Sequence, residues 1–198
     1  MERMLDIYID YETETTRHFI EKCRELTHEQ LHQTFDIGHG TLYDTIVHII
    51  DNTGGWTQLM REVPLGRPSD DSEGTEESGE VGEGGDAEAS GEVNEVDGLL
   101  EYYDGVMAYF TGTVQAIVAD NRLDGTFEDH RWGDPVTTRL DRAILHVLTH
   151  NTVHHSEMQH MLQRLGVTNM RDGDLMEWGF ISDDAAEAAA AGSAVSQV

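Results

Sequence analysis

Four stretches of this chain repeat apolar residues at steps of three and four, and that period constrains the fold more than any other feature. Over about residues 3–26, Leu5, Ile9, Phe19, Ile20, Cys23 and Leu26 fall near one side. Over 41–62 the arc is Leu42, Ile46, Ile49, Ile50, Trp56 and Met60. Over 95–120, Leu99, Tyr103, Val106, Phe110, Val114 and Ile117 form the cleanest stripe, and over 138–165 it is Leu140, Ile144, Val147, Met158, Leu162 and Leu165. An apolar stripe turning ~100° per residue predicts an amphipathic helix. No segment carries a convincing period-two strand pattern. Four such helices bury their stripes only against one another, so the expected fold is all-α, a four-helix bundle.

Local signals set the boundaries. Thr41 reads as the N-cap of the second long helix, and Thr138 with Asp141 as the cap of the fourth. Gly166 is placed to end the fourth. "THEQ" at 27–30 has the form of a capping box and starts a short extra helix, which "DIGHG" then limits. Gly54 and Gly55 weaken the second helix by about 1 kcal/mol each relative to alanine, so a kink or a close helix crossing is expected there. "NRLDGTFEDHRWGDP" reads as a loop, and "DLMEWGFI" as a segment packing through Leu175, Trp178 and Phe180.

The bundle is expected to be one domain over 1–181, interrupted between the second and third long helices. Residues 70–95 hold eleven acids, six glycines and no base, which cannot form a core. The stretch 66–95 therefore reads as a solvated surface insertion without catalytic duty, and 182–198 as a low-complexity tail. The net charge of −27 and a single lysine, Lys22, suggest a protein built for high salt. At about 1 M salt the Debye length is roughly 3 Å, and dense carboxylates scarcely repel one another. The same charge argues against nucleic acid and anionic membrane surfaces as partners. A lone cysteine, Cys23, allows no internal disulfide and no cysteine-based metal site. The acidic N-terminus lacks the order of a signal peptide, no apolar run reaches the ~18 residues of a membrane span, and a cytoplasmic protein is expected.

Five of the eleven histidines lie within "HVLTHNTVHHSEMQHM", residues 146–161. His146/His150 and His150/His154 are i,i+4 pairs, the spacing by which one helix gives two nitrogens to one ion. Such pairs also arise by chance on acidic surfaces. On a helical wheel His150 and His154 border the apolar stripe with Glu157 nearby, His155 lies across it, and His160 points toward solvent. A third nitrogen must come from another helix, and His48, at the edge of the second helix's arc, is the candidate. Read alone, it is better taken as a half-exposed surface histidine.

"TLYDTIVHIIDNTGGW", followed after a long gap by "LHVLTHNTVHHSEMQHMLQRLG", resembles the DinB/YfiT-like (damage-inducible) family of four-helix-bundle metalloproteins. That family carries one histidine on its second long helix and an HxxxH pair on its fourth, often as H-x-x-x-H-R-G-Q. Here His48 matches the first, and His150 and His154 match the pair. His155 stands in place of arginine, Ser156 of glycine and Glu157 of glutamine. The resemblance implies a three-histidine divalent metal site, a homodimer, and a thiol-dependent transferase acting on an electrophilic small molecule. Other members are related to isomerases or look like hydrolases.

Three neutral imidazoles leave a divalent ion open positions, where water becomes hydroxide or a thiol becomes thiolate. Imidazole suits zinc, nickel or iron equally. Glu157 is the candidate catalytic residue, as general base, fourth ligand or orienting partner, with an ordinary exposed glutamate as the plain alternative. His146 is expected in the bundle interior or just behind the ligands rather than as a ligand, and Cys23, Trp56 and Trp178 as packing residues. The alternative to an enzyme is a stress-response protein that only binds a metal or ligand at the same residues.

Overall fold

The computed structural model describes residues 2–61, 95–131 and 133–182. The helices are α1 (Glu2–Lys22), α2 (His28–Leu31), α3 (Leu42–Arg61), α4 (Glu95–Ala119) and α5 (Leu140–Arg164), with a 3-10 turn at Cys23–Glu25. Helices α1, α3, α4 and α5 form the four-helix bundle. Its core is built from the expected stripes: Phe19, Ile20, Leu42, Ile46, Ile49, Ile50, Tyr103, Phe110, Leu140, Ile144, Val147 and Leu162 have 1% or less of their surface exposed. Fully burying side chains of this size stabilises by roughly 1.5–3 kcal/mol each before entropy is counted. The expected insertion at 66–95 and tail at 182–198 fall almost wholly outside the described residues, which resume at Glu95 and end at Ser182.

The helix directions follow from side-chain contacts. Helix α5 runs antiparallel to α3, because His150 meets His48 while the earlier His146 meets the later Trp56. It runs parallel to α1, where Tyr8 meets Thr152 and Thr16 meets His155. Helix α4 opposes α1, with Asp97 on Arg24 and Asp104 on Arg17. Helices α3 and α4 are parallel: Tyr102 bonds Asp51, and farther along both helices Arg61 lies over Tyr109. The connection between α3 and α4 thus joins opposite ends of the bundle, a long-crossover topology.

Most boundary signals act as expected. Thr27 and Gln30 form both bonds of the capping box, and Thr41 Oγ1 accepts from the Asp44 N–H at 2.9 Å. Gly166, with φ +87°, ends α5 in a Schellman motif, in which the Val167 and Gly166 N–H groups reach the carbonyls of Leu162 and Gln163. Helix α3 runs continuously through Gly54 and Gly55, and a Cβ on Gly54 would only touch Val106 at 3.8 Å. Three expectations fail in whole or in part. The stretch read as a loop holds a two-stranded antiparallel hairpin, β1 (Thr126–Asp129) with β2 (Val136–Arg139). Its four-residue strands are too short for a period to show, although Phe127 and Asp129 do alternate inward. Thr138 consequently pairs with Phe127 in the ladder and caps nothing; α5 starts after Arg139, without a side-chain cap. Beyond α5, residues 175–182 form another helical segment. It docks through Trp178, whose Nε1 donates to Glu14 at 2.7 Å, while Leu175 and Phe180 stay exposed.

Candidate metal centre

Helix α5 carries two neighbouring faces of polar residues. One turns His150 and His154 toward α3. The other turns Asn151 and His155 into the core.

On the first face the structure brings His48, His150 and His154 together. The Nε2 of His150 lies 3.4 Å from the Nε2 of His48 and 3.4 Å from that of His154. Tetrahedral coordination with metal–nitrogen bonds of about 2.0–2.1 Å separates its donors by about 3.3–3.4 Å, so these two edges fit a zinc-like ion. A single ring proton cannot make both 3.4 Å contacts hydrogen bonds. His154 Nδ1 meets Glu157 Oε2 at 2.6 Å; as donor to that carboxylate it leaves Nε2 a bare lone pair. One proton on His150 Nε2 serves at most one of its two 3.4 Å contacts. A shared cation serves all three nitrogens at once. Burial, reinforced by His39, His154 and His150, pushes the His48 pKa down to about 4 against the opposing pull of Asp51. Burial and then His154 and His146 lower that of His150. Neutral rings are what a metal requires of imidazole ligands.

Glu157 is half-buried, and its carboxylate is engaged with His154. A carboxylate on the far nitrogen of a ligand fixes both tautomer and ring orientation. The side-chain amide of Asn52 on α3 lies 3.2 Å from His150 Nδ1; with its oxygen rather than its NH2 turned to that nitrogen it would accept the Nδ1 proton and leave Nε2 free. Gly38 packs over this arrangement. Its φ is +58°, and a Cβ there would lie 2.9 Å from Glu157 Oε2 and 3.1 Å from Thr45 Oγ1.

Three residues join the picture that sequence reasoning passed over or misplaced. His39, between Gly38 and Gly40, stacks on His48 with ring centres 3.7 Å apart, and lies 5.4 Å from His154. His39, His48 and His154 each offer a ligand atom within 4.8 Å of one another, so four imidazoles surround the position. The signal is a histidine flanked by two glycines just before a helix, a pattern that by itself marks only a helix stop. His146 is exposed, not interior: it sits 5.4 Å from His150 and edge-on to Trp56 at 4.9 Å. Arg131, delivered by the hairpin, lies over Trp56 at 4.3 Å while Asp129 grips its guanidinium through two bonds of 2.9 Å. Its charge is already matched, so it walls this side of the site.

On the second face, Glu12 is fully buried and accepts from Thr16 Oγ1 at 2.8 Å and Asn151 Nδ2 at 3.0 Å, with Tyr103 OH at 3.4 Å. Burial pushes its pKa up to about 7 despite these donors. The Thr16 hydroxyl spends its one proton on Glu12, so its 2.6 Å contact with His155 Nε2 makes that nitrogen the donor. His155 Nδ1 is then a buried lone pair without a partner, and burial, then His154, pushes this histidine's pKa down to about 3.

A family model described as the DinB superfamily matches residues 12–158, a span that includes His39, His48, His150, His154 and Glu157. No curated protein matches the chain. Among the described residues, no helix is long and apolar enough to cross a membrane.

Proposed function

We propose that this chain, which belongs to the DinB superfamily, is a metal-dependent enzyme that transfers a low-molecular-weight thiol, or water, onto an electrophilic small molecule. The observation carrying this reading is the pair of 3.4 Å contacts at His150 Nε2, with the Glu157 carboxylate holding His154 from behind. His48, His150 and His154 would hold the ion, a zinc, nickel or iron cation. When bound, such an ion lowers the pKa of a thiol or water that shares it. Glu157 keeps the His154 proton on Nδ1 and its lone pair on Nε2, and acts as a positioning residue. Asn52 restrains His150, and Gly38 leaves room for the carboxylate. His39 stacks against His48 on the open side, where a substrate has to enter. A second copy of the chain is the expected protein partner, and a cytoplasmic location belongs to the same reading.

The test combines elemental analysis of untagged protein, kept at high salt, with conjugation of an electrophile such as chlorodinitrobenzene to a panel of thiols, with and without metal. The expected result is about one ion at this centre and conjugation that disappears in His154→Ala. Glu157→Gln is expected to keep the site and bind the ion roughly 10- to 100-fold more weakly. A bound ion without metal-dependent turnover across thiols and hydrolysable esters would favour the binding protein over the enzyme. No ion in the wild type would remove both.

A further inference from the structure

A second group of ligand-type side chains lies at the start of α4, on residues other than those of the cluster above. The capping box at Thr27 starts α2, and α2 sets His28 and His32 one turn apart, with ring centres 4.5 Å apart. Both rings face one carboxylate. His28 Nδ1 lies 2.9 Å from Glu95 Oε2, and His32 Nε2 lies 2.7 Å from Glu95 Oε1. The three ligand atoms fall within 4.8 Å of one another. The His32 ring is steadied on its other side by Tyr43, at 4.6 Å between ring centres. Nearby Arg24 is paired to Asp97, so its charge does not oppose a cation here.

We propose that His28, His32 and Glu95 form a binding site for a divalent first-row cation that clamps α2 to the start of α4. Two imidazoles and one carboxylate are a donor set that zinc accepts with a further position left for water. Two neutral rings and one carboxylate leave the site with a single negative charge, inside a chain whose net charge is −27. At 2.9 and 2.7 Å the two contacts are hydrogen-bond distances that would widen to about 3.3–3.4 Å around a tetrahedral ion, and the alternative arrangement, two separate imidazole–carboxylate bonds, is satisfied by protons alone and needs no ion. The two differ in that the cation site loses its ligand when any one of the three side chains is removed.

The site is independent of the proposed function, and the experiment separates them. Chelator-stripped, untagged protein at high salt is titrated with Zn²⁺ while stoichiometry and thermal midpoint are followed. Wild type is expected to take up two ions per chain, His28→Ala/His32→Ala one, and His48→Ala/His154→Ala one. The ion remaining in His48→Ala/His154→Ala should raise the thermal midpoint, and adding His28→Ala/His32→Ala should abolish both the ion and the shift. Glu95→Gln in the same background should weaken binding by more than the roughly 10- to 100-fold typical of an outer partner. Equal Zn²⁺ uptake with and without His28 and His32 would overturn the proposal, as would a Glu95→Gln variant that binds undiminished. Loss of the ion from the His150 centre alone would count only against the function proposed above. His28 is exposed and α2 is one turn long, so circular dichroism should report an intact bundle in the α2 variants.

Discussion

His154 and His155 are adjacent, both buried, and chemically opposite. His154 faces α3, gives its Nδ1 proton to Glu157, and points a bare Nε2 at two other histidines. His155 faces α1, gives its Nε2 proton to Thr16, and leaves a bare Nδ1 facing no partner. About 100° of helical rotation separates a nitrogen available to a cation from one sealed in the core. The residue type does not decide between ligand and strut; the element across the interface does. A carboxylate behind the ring, at Glu157, frees the front nitrogen. A buried carboxylate relayed through a hydroxyl, at Glu12 and Thr16, locks the ring as a donor.

The comparison breaks if the two histidines respond alike to truncation. His155→Ala should lower stability by roughly 3–4 kcal/mol, through the cavity and the lost bond, while metal content is unchanged. His154→Ala should show the reverse: metal affinity down by about a hundredfold or more, with a stability loss smaller than that of His155→Ala. Denaturant titration of metal-free protein and elemental analysis of the loaded protein read the two quantities separately.

Glu12 sharpens the same contrast through pH. Its folded pKa, raised to about 7, lies above the ordinary carboxylate value. The folded state therefore holds the proton more tightly than the unfolded chain. The stability this gives is complete below the unfolded pKa and is lost as pH rises through the folded one. His155 works the other way, since its depressed pKa costs stability as pH falls below the ordinary histidine value. Between about pH 4.5 and 6.5 the two trends oppose each other. Glu12→Gln should remove only the first. Its stability relative to wild type should climb by roughly 2–3 kcal/mol from pH 4.5 to above pH 7. A flat difference across that range would mean that Glu12 titrates as an ordinary carboxyl.

The smallest expected effect is at Gly38. An alanine there meets Glu157 Oε2 at 2.9 Å in a left-handed backbone conformation. The flexible carboxylate can move aside only by giving up its 2.6 Å contact with His154. Gly38→Ala should thus weaken metal binding by about tenfold, like a partial loss of Glu157, and cost about 1 kcal/mol in stability. An effect on stability with none on metal would detach the loop from the centre.

The bundle was legible because its stripes are long: Leu99 to Ile117 alone spans most of α4. The His150/His154 pair was legible because both sit on one helix at a fixed angle. His39 was not, because its position depends on two glycines whose loop path no period encodes. Glu12 was invisible for a related reason. It is one of six acids on the first helix, and only the facing Asn151, Thr16 and Tyr103 make it an interior group. The hairpin was missed because four residues per strand leave too few alternations to count. The resemblance to the DinB family, by contrast, lay in one histidine on the second long helix, the HxxxH pair on the fourth and the Leu165-Gly166 ending, which local chemistry keeps in place.

The parallel course of α3 and α4 sets a minimum length for the tether that joins them. Helix α3 is 20 residues long, about 30 Å, and the chain must travel back along that whole length before α4 can begin. At about 3.4 Å per extended residue, roughly nine residues are the least that can span it. The acidic stretch is well above that floor, so trimming it moderately should leave the helices registered, whereas reducing it to a tight turn would force α4 to reverse direction and take Glu95 away from α2.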